Sequence, residues 1–178
     1  MRAAAVLLAL ALVGGCAVSP HASGGAPALI AANYHASDAL IALARPHLDP
    51  GRPILVATLV DIDDLERSST LGRYISESVS ARFTQSGYPM VEMKFQNSVY
   101  MKQGEGELML TRQLREIAQA HQAQAVIVGT YSRGSASVLV NLKVVRPQDH
   151  IVLAAHDYAL RYTGDVCAMA RGRGCEER

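Results

Sequence analysis

Ala125 to Val145 reads AVIVGTYSRGSASVLVNLKVV, two strands and the turn that joins them. Ala125 to Tyr131 is apolar up to Gly129, the pattern of a buried strand, and Arg133-Gly134-Ser135 supplies the reversal. From Ser137 to Val145 the pattern becomes alternating. Val138, Val140, Leu142 and Val144 point one way, and Ser137, Asn141 and Lys143 the other, as in a strand with one face in a core. Downstream, Pro147-Gln148-Asp149 turns the chain again and Ile151 to Leu160 gives a last strand. The tail from Arg161, with three glycines and mixed charge, reads as loosely structured.

Upstream of the hairpin the period changes. Thr111 caps a helix on which Leu114, Ile117, Ala118 and His121 share a face, after a loop containing Gly104 and Gly106. Met90 to Phe95 alternates as a strand. Thr70 to Ser86 is a helix with Leu71, Ile75, Val79 and Phe83 spaced four apart and Gly87 as its stop. Ile54 to Ile62 is a continuous apolar run, predicting a strand buried on both faces. Pro50, Gly51 and Pro53 break the chain before it. Ser37 and Asp38 precede a short helix with Leu40, Ile41, Ala44 and Leu48 on its buried side, ended or kinked by Pro46. The order is strand, helix, strand, helix, strand, strand, strand. This predicts an α/β (α+β) domain with a single mixed five-stranded sheet, parallel across the two helical crossovers and antiparallel in the final meander. Both helices are expected on one face. The other face, bearing Ser137, Asn141 and Lys143, is left to a partner or to the N-terminal helix.

The N-terminus is organised differently. Arg2 is followed by eleven apolar residues, Ala3 to Val13, well short of the roughly 20 that a membrane span requires. Val13-Gly14-Gly15-Cys16 then places small residues directly before a cysteine, a lipobox arrangement that makes residues 1–15 an export signal and Cys16 the lipidated residue. Buried acyl chains contribute about 0.8 kcal/mol per methylene, so more than one chain on Cys16 gives a stable anchor. Ala17, where an aspartate would argue for retention in the inner membrane, points to the periplasmic face of the outer membrane of a Gram-negative bacterium. Residues 16–28, rich in Ala, Ser, Gly and Pro, read as a flexible tether, residues 29–49 as the short N-terminal helix, 50–160 as the domain and 161–178 as the tail.

Composition narrows the function class. Seventeen Lys and Arg against sixteen Asp and Glu give none of the basic excess of a nucleic-acid binder. Cys167 and Cys175 would share an oxidising compartment, where a disulfide between them would pin the tail locally; unpaired or intermolecular thiols are the alternative. Two cysteines without a flanking His pair do not make a zinc site. The six histidines, at 21, 35, 47, 121, 150 and 156, include no ligand pair at helical spacing. There is no phosphate loop and no nucleophile elbow. Asp61, Asp63, Asp64 and Glu66 lack the glycine and distal glutamate of a calcium loop and read as a solvated turn before a helix. His156 and Asp157 are strand neighbours that face opposite ways. Gly72-Arg73 offers backbone N–H groups to an anion, although glycine there more often permits close packing. No metal, no cofactor and no enzymatic activity are expected.

Several separated strings resemble the FlgO-type family of flagellar outer-membrane accessory proteins. They are ILVATLVDIDDL at 54–65, Leu71-Gly72-Arg73 with Ser76-Glu77, Gly106-Glu107 with Leu110-Thr111-Arg112, and AVIVGTYS at 125–132 with Val140 to Val145. Thr111 replaces the serine expected in that motif and keeps a capping hydroxyl. The resemblance, over roughly residues 50–160, implies a non-enzymatic envelope lipoprotein that supports motility or stabilises the flagellum at the outer membrane, with no catalytic residues to carry over. The architecture also looks like the small α/β domains of curli-secretion lipoproteins and the TolB N-terminal domain, so an interaction module for another envelope machine, in secretion or cell-wall synthesis, is the alternative. The expected partners are the membrane, through Cys16, and envelope or flagellar proteins, with homo-oligomerisation left open.

Overall fold

A computed structural model of the chain describes residues 25–91 and 112–170. Residues 1–15, Cys16, the loop around Gly104 and Gly106, Thr111 and Cys175 fall outside them. The elements are α1 (Ala26–Ala44) with a 3-10 turn at Arg45–His47, β1 (Ile54–Val56), β2 (Val60–Asp61), α2 (Thr70–Gln85), β3 (Met90–Val91), α3 (Arg112–Ala120), β4 (Ala125–Arg133), β5 (Ser137–Val145), β6 (Val152–Arg161) and α4 (Gly164–Ala170). One mixed sheet runs β3-β1-β4-β5-β6, with β2 also on β4, so the α/β class and the mixed sheet are as expected. β1 and β3 pair in parallel, β1 and β4 likewise, and β4, β5 and β6 form the antiparallel meander.

The apolar run 54–62 is two strands, not one. Val56 pairs with Ile127 and Val60 with Thr130, so one extra residue is accommodated between β1 and β2. Serines satisfy the backbone groups freed there. Leu59 N donates to Ser76 Oγ (2.9 Å), Ser76 Oγ also lies 3.3 Å from Ala57 O, and Ser68 Oγ donates to Leu59 O (2.7 Å). The bulge also shifts the side-chain phase, so that Leu59 enters the same core as Ile54 while Val60 enters the opposite one with Leu55.

The two crossover helices lie on opposite faces of the sheet, which corrects the expectation of one face. Leu71, Ile75, Val79 and Phe83 of α2 pack with Ile54, Leu59, Ile127 and Tyr131, whereas Leu114 and Ala118 of α3 pack with Leu55, Val60, Val126 and Val128. The cause is the strand order. The chain steps outward from β1 to β3 and then back past β1 to β4. Two right-handed crossovers travelling in opposite directions place their helices on opposite sides.

α1 begins at Ala26, earlier than Ser37 and Asp38 suggest, and so takes in the last three residues of the expected tether. Pro27 sits in its first turn, where the missing N–H costs nothing. Ser37 is buried and donates to Asn33 O (2.7 Å), while Asp38 is bound by Arg82 of α2, so neither residue caps. The helix covers β5 and β6 on the α2 side, with Leu29, Leu40 and Ile41 in that core. The described part of the tail, up to Ala170, is helical where its composition suggests a loose segment. Residues 164–170 form α4, whose Val166 and Ala170 are buried in the same core. Gln124 ties the approach to β1 onto the approach to β4: its side chain accepts from Asp49 N (2.7 Å) and donates to Asp49 O (2.6 Å) and Arg52 O (2.7 Å).

Candidate interaction surface

The residues that drew attention as chemical candidates are occupied by structural partners. Asp61 is buried at the end of β2, where one carboxylate oxygen accepts from Arg133 Nη2 (2.8 Å) and the other from Asp63 N (3.1 Å). Asp64 pairs with Arg67 (3.0 Å) and accepts from Glu66 N (3.3 Å). The acidic stretch is therefore a self-bonded turn, and no cluster able to hold a metal occurs among the described residues. Gly72 gives its N–H to the α2 cap, Ser69 Oγ (3.2 Å). A Cβ at Gly72 would lie 2.6 Å from Leu59 O and 2.8 Å from Tyr131 Cε1, so the glycine permits close packing against the bulge. Cys167 is disulfide-bonded.

His156 and Asp157 point to opposite faces of β6. His156 stacks on Tyr158 (6.4 Å, 23° between planes) on the side facing α1. Asp157 accepts from Asn141 Nδ2 on the other side. The Tyr158 hydroxyl donates to Asn33 Oδ1 (2.8 Å), and burial pushes its phenol well above the ordinary tyrosine range. Asn33 is fully buried, and its Nδ2 has no hydrogen-bond partner among the described residues. Sequence reasoning passed over this pair, although Asn33 lies on the Leu29, Ala36, Leu40 stripe, where one polar residue among apolar ones is a signal.

Two surface features stand out among the described residues. A concavity of about 860 Å³ opens where the start of α1 meets the end of β6, lined by Gly25, Leu29, Ala32, Ala159, Tyr162 and Val166 among others. It is mostly apolar, and none of the buried unpaired polar atoms lies in its lining. The second feature is the β5–β6 face opposite α1. α3 covers the sheet on that side over β1 and β4, but the described residues leave Leu139, Ala155, Asp157, Ala159 and Arg161 exposed, with Ser137, Asn141 and Lys143 half-buried. The N-terminal helix does not cover this face, because it packs on the other one.

Comparison with known proteins gives distant structural likenesses. The chain is similar to the LpoB C-terminal domain from Salmonella enterica (14% identity, TM-score 0.48, 71% of this chain and 98% of that one). It is also similar to the lipoprotein GNA1162 from Neisseria meningitidis (15%, TM-score 0.45, 64% and 82%). No curated protein matches the sequence. The model of the family described as FlgO protein matches residues 34–165, which run from within α1 through the whole sheet into α4. That match covers well over half of the sequence, and the chain belongs to the FlgO family.

Proposed function

We propose that this chain is a non-enzymatic lipoprotein of the outer membrane, anchored through Cys16, that acts by protein contact to support the flagellum where it crosses the envelope. The observation that carries the reading is the family match over residues 34–165. The anchor is supported by Arg2, the short apolar run Ala3 to Val13, and Gly14-Gly15-Cys16. Ala17 favours the outer membrane. Cys175 is the natural partner for Cys167, leaving Cys16 to the lipid. The buried carboxylate and the Gly72 amide are committed to internal bonds, and the half-polar β5–β6 face is a surface suited to protein contact.

The test is in vivo crosslinking of the lipidated protein, gentle solubilisation of the envelope and mass spectrometry of what accompanies it. Basal-body or flagellar ring proteins are expected, together with impaired motility or an altered basal body in a deletion strain. Recovery of cell-wall or secretion proteins with normal motility would move the role to another envelope machine.

A further inference from the structure

Among the described residues no strand pairs with the outer edge of β6, and that edge has the chemistry of a symmetric interface. β6 is the terminal strand of the sheet, ten residues long, and it contains neither the proline nor the lysine with which exposed edges are usually blunted. Tyr162 N donates to Ala136 O just beyond the hairpin pairing, and bonded and unbonded pairs alternate along an antiparallel ladder. With Val138 opposite Leu160 and Val140 opposite Tyr158, the bonds to β5 come from the even residues of β6. Ala155, Asp157, Ala159 and Arg161 therefore turn their N–H and C=O groups to the open edge. Their side chains are the exposed ones, on the face that α1 leaves uncovered.

We infer that two copies of this chain pair through β6, antiparallel about a two-fold axis at Ala159, so that Asp157 of each copy lies opposite Arg161 of the other. The two charges are what choose the occupant and the register. An axis at Asp157 would set two carboxylates face to face, whereas an axis at Ala159 makes two opposite-charge pairs with small side chains at the centre. Both charges are prepared for this. Asn141 Nδ2 donates to one oxygen of Asp157 on that face, which leaves the other oxygen to accept a further bond. Arg161 makes no ion pair among the described residues. The paired strands would exchange main-chain bonds at Ala159 and at each Asp157–Arg161 pair.

The test uses the full-length protein in its own envelope. Bonded antiparallel neighbours have Cα atoms about 5.5 Å apart, within disulfide range, so A159C is expected to give an oxidised dimer that the parent chain does not. A155C would place its two thiols eight residues apart along the paired strands, roughly 27 Å, and is expected to give none. On the A159C background, D157R and R161D should each lower the dimer several-fold, and the D157R/R161D double reversal should restore it. Protein level on the same blot separates loss of pairing from loss of folding. Absence of an A159C dimer, equal crosslinking by A155C, single reversals without effect, or capture of a different protein by A159C would each overturn the inference.

Discussion

Gly72 is where α2 approaches the bulged edge most closely, and its importance was half visible in the sequence. A glycine inside a helix asks for a reason, and the sequence offered two, an anion or a close neighbour; the Leu59 carbonyl and the Tyr131 ring are that neighbour. Gly72→Ala should destabilise the domain by about 1–3 kcal/mol through overpacking, read as a lower urea midpoint, while Arg73→Ala next to it should stay within about 0.5 kcal/mol. The Tyr158–Asn33 bond makes a second residue-scale prediction. Tyr158→Phe leaves Asn33 buried with neither amide atom satisfied, and should cost about 1–3 kcal/mol at neutral pH. The sign of its pH dependence follows from burial. A phenol whose folded pKa is raised stabilises fully below its unfolded value, ordinarily about 10, and that contribution is lost as pH rises above it. Denaturation at pH 7 and pH 11 should therefore show the gap between the parent and Tyr158→Phe narrowing at the higher pH. A gap that widens would remove Tyr158 from the alkaline response.

At the scale of elements, legibility followed periodicity. β5 and α2 bury one side only, so their patterns stand out against polar neighbours, and both occur where the pattern puts them. The run 54–62 is apolar throughout and carries no phase of its own, so nothing in it announces the bulge that serines at 68 and 76 complete from elsewhere in the chain. α1 is longer than Ser37 and Asp38 suggest, because these residues look like caps, yet one hydroxyl bonds back to its own helix and the carboxylate is taken by Arg82. That Arg82 bond, the largest influence, lowers the Asp38 pKa, but the pair is solvent-exposed and contributes little to holding the helix down. Burial does that work. Leu40 is fully buried against the sheet, whereas Leu43, three residues on, is 53% exposed. Leu40→Ala should cost about 2–5 kcal/mol and Leu43→Ala no more than about 0.5 kcal/mol, measured by the same denaturation. Equal effects would mean that α1 is not docked by the face described.

For the whole molecule, most elements were readable, the split of 54–62 and helix α4 apart, and the strand order was not. Local pattern says that a crossover occurs but not on which side of the first strand it returns. Placing β3 outside β1 and β4 inside sends the two helices to opposite faces, and among the described residues it leaves one flank of the sheet, β5–β6, uncovered on the side away from α1. The described core runs from Leu29 of α1 to Ala170 of α4, and the reading of residues 1–16 as signal and anchor predicts that anchor and fold are separable. A chain whose first 16 residues are replaced by an ordinary cleavable export signal should melt at the same temperature as the lipidated protein. It should partition into the aqueous phase of a detergent extraction, where the parent goes with the detergent. Leu40→Ala should do the reverse, lowering the melting temperature and the amount of protein while what remains still partitions with detergent. If the parent itself stays aqueous, Cys16 carries no lipid. If the replaced chain is correctly located yet fails to support motility, the anchor places the domain where its contacts are made, and the role belongs to the membrane surface, not to the free periplasm.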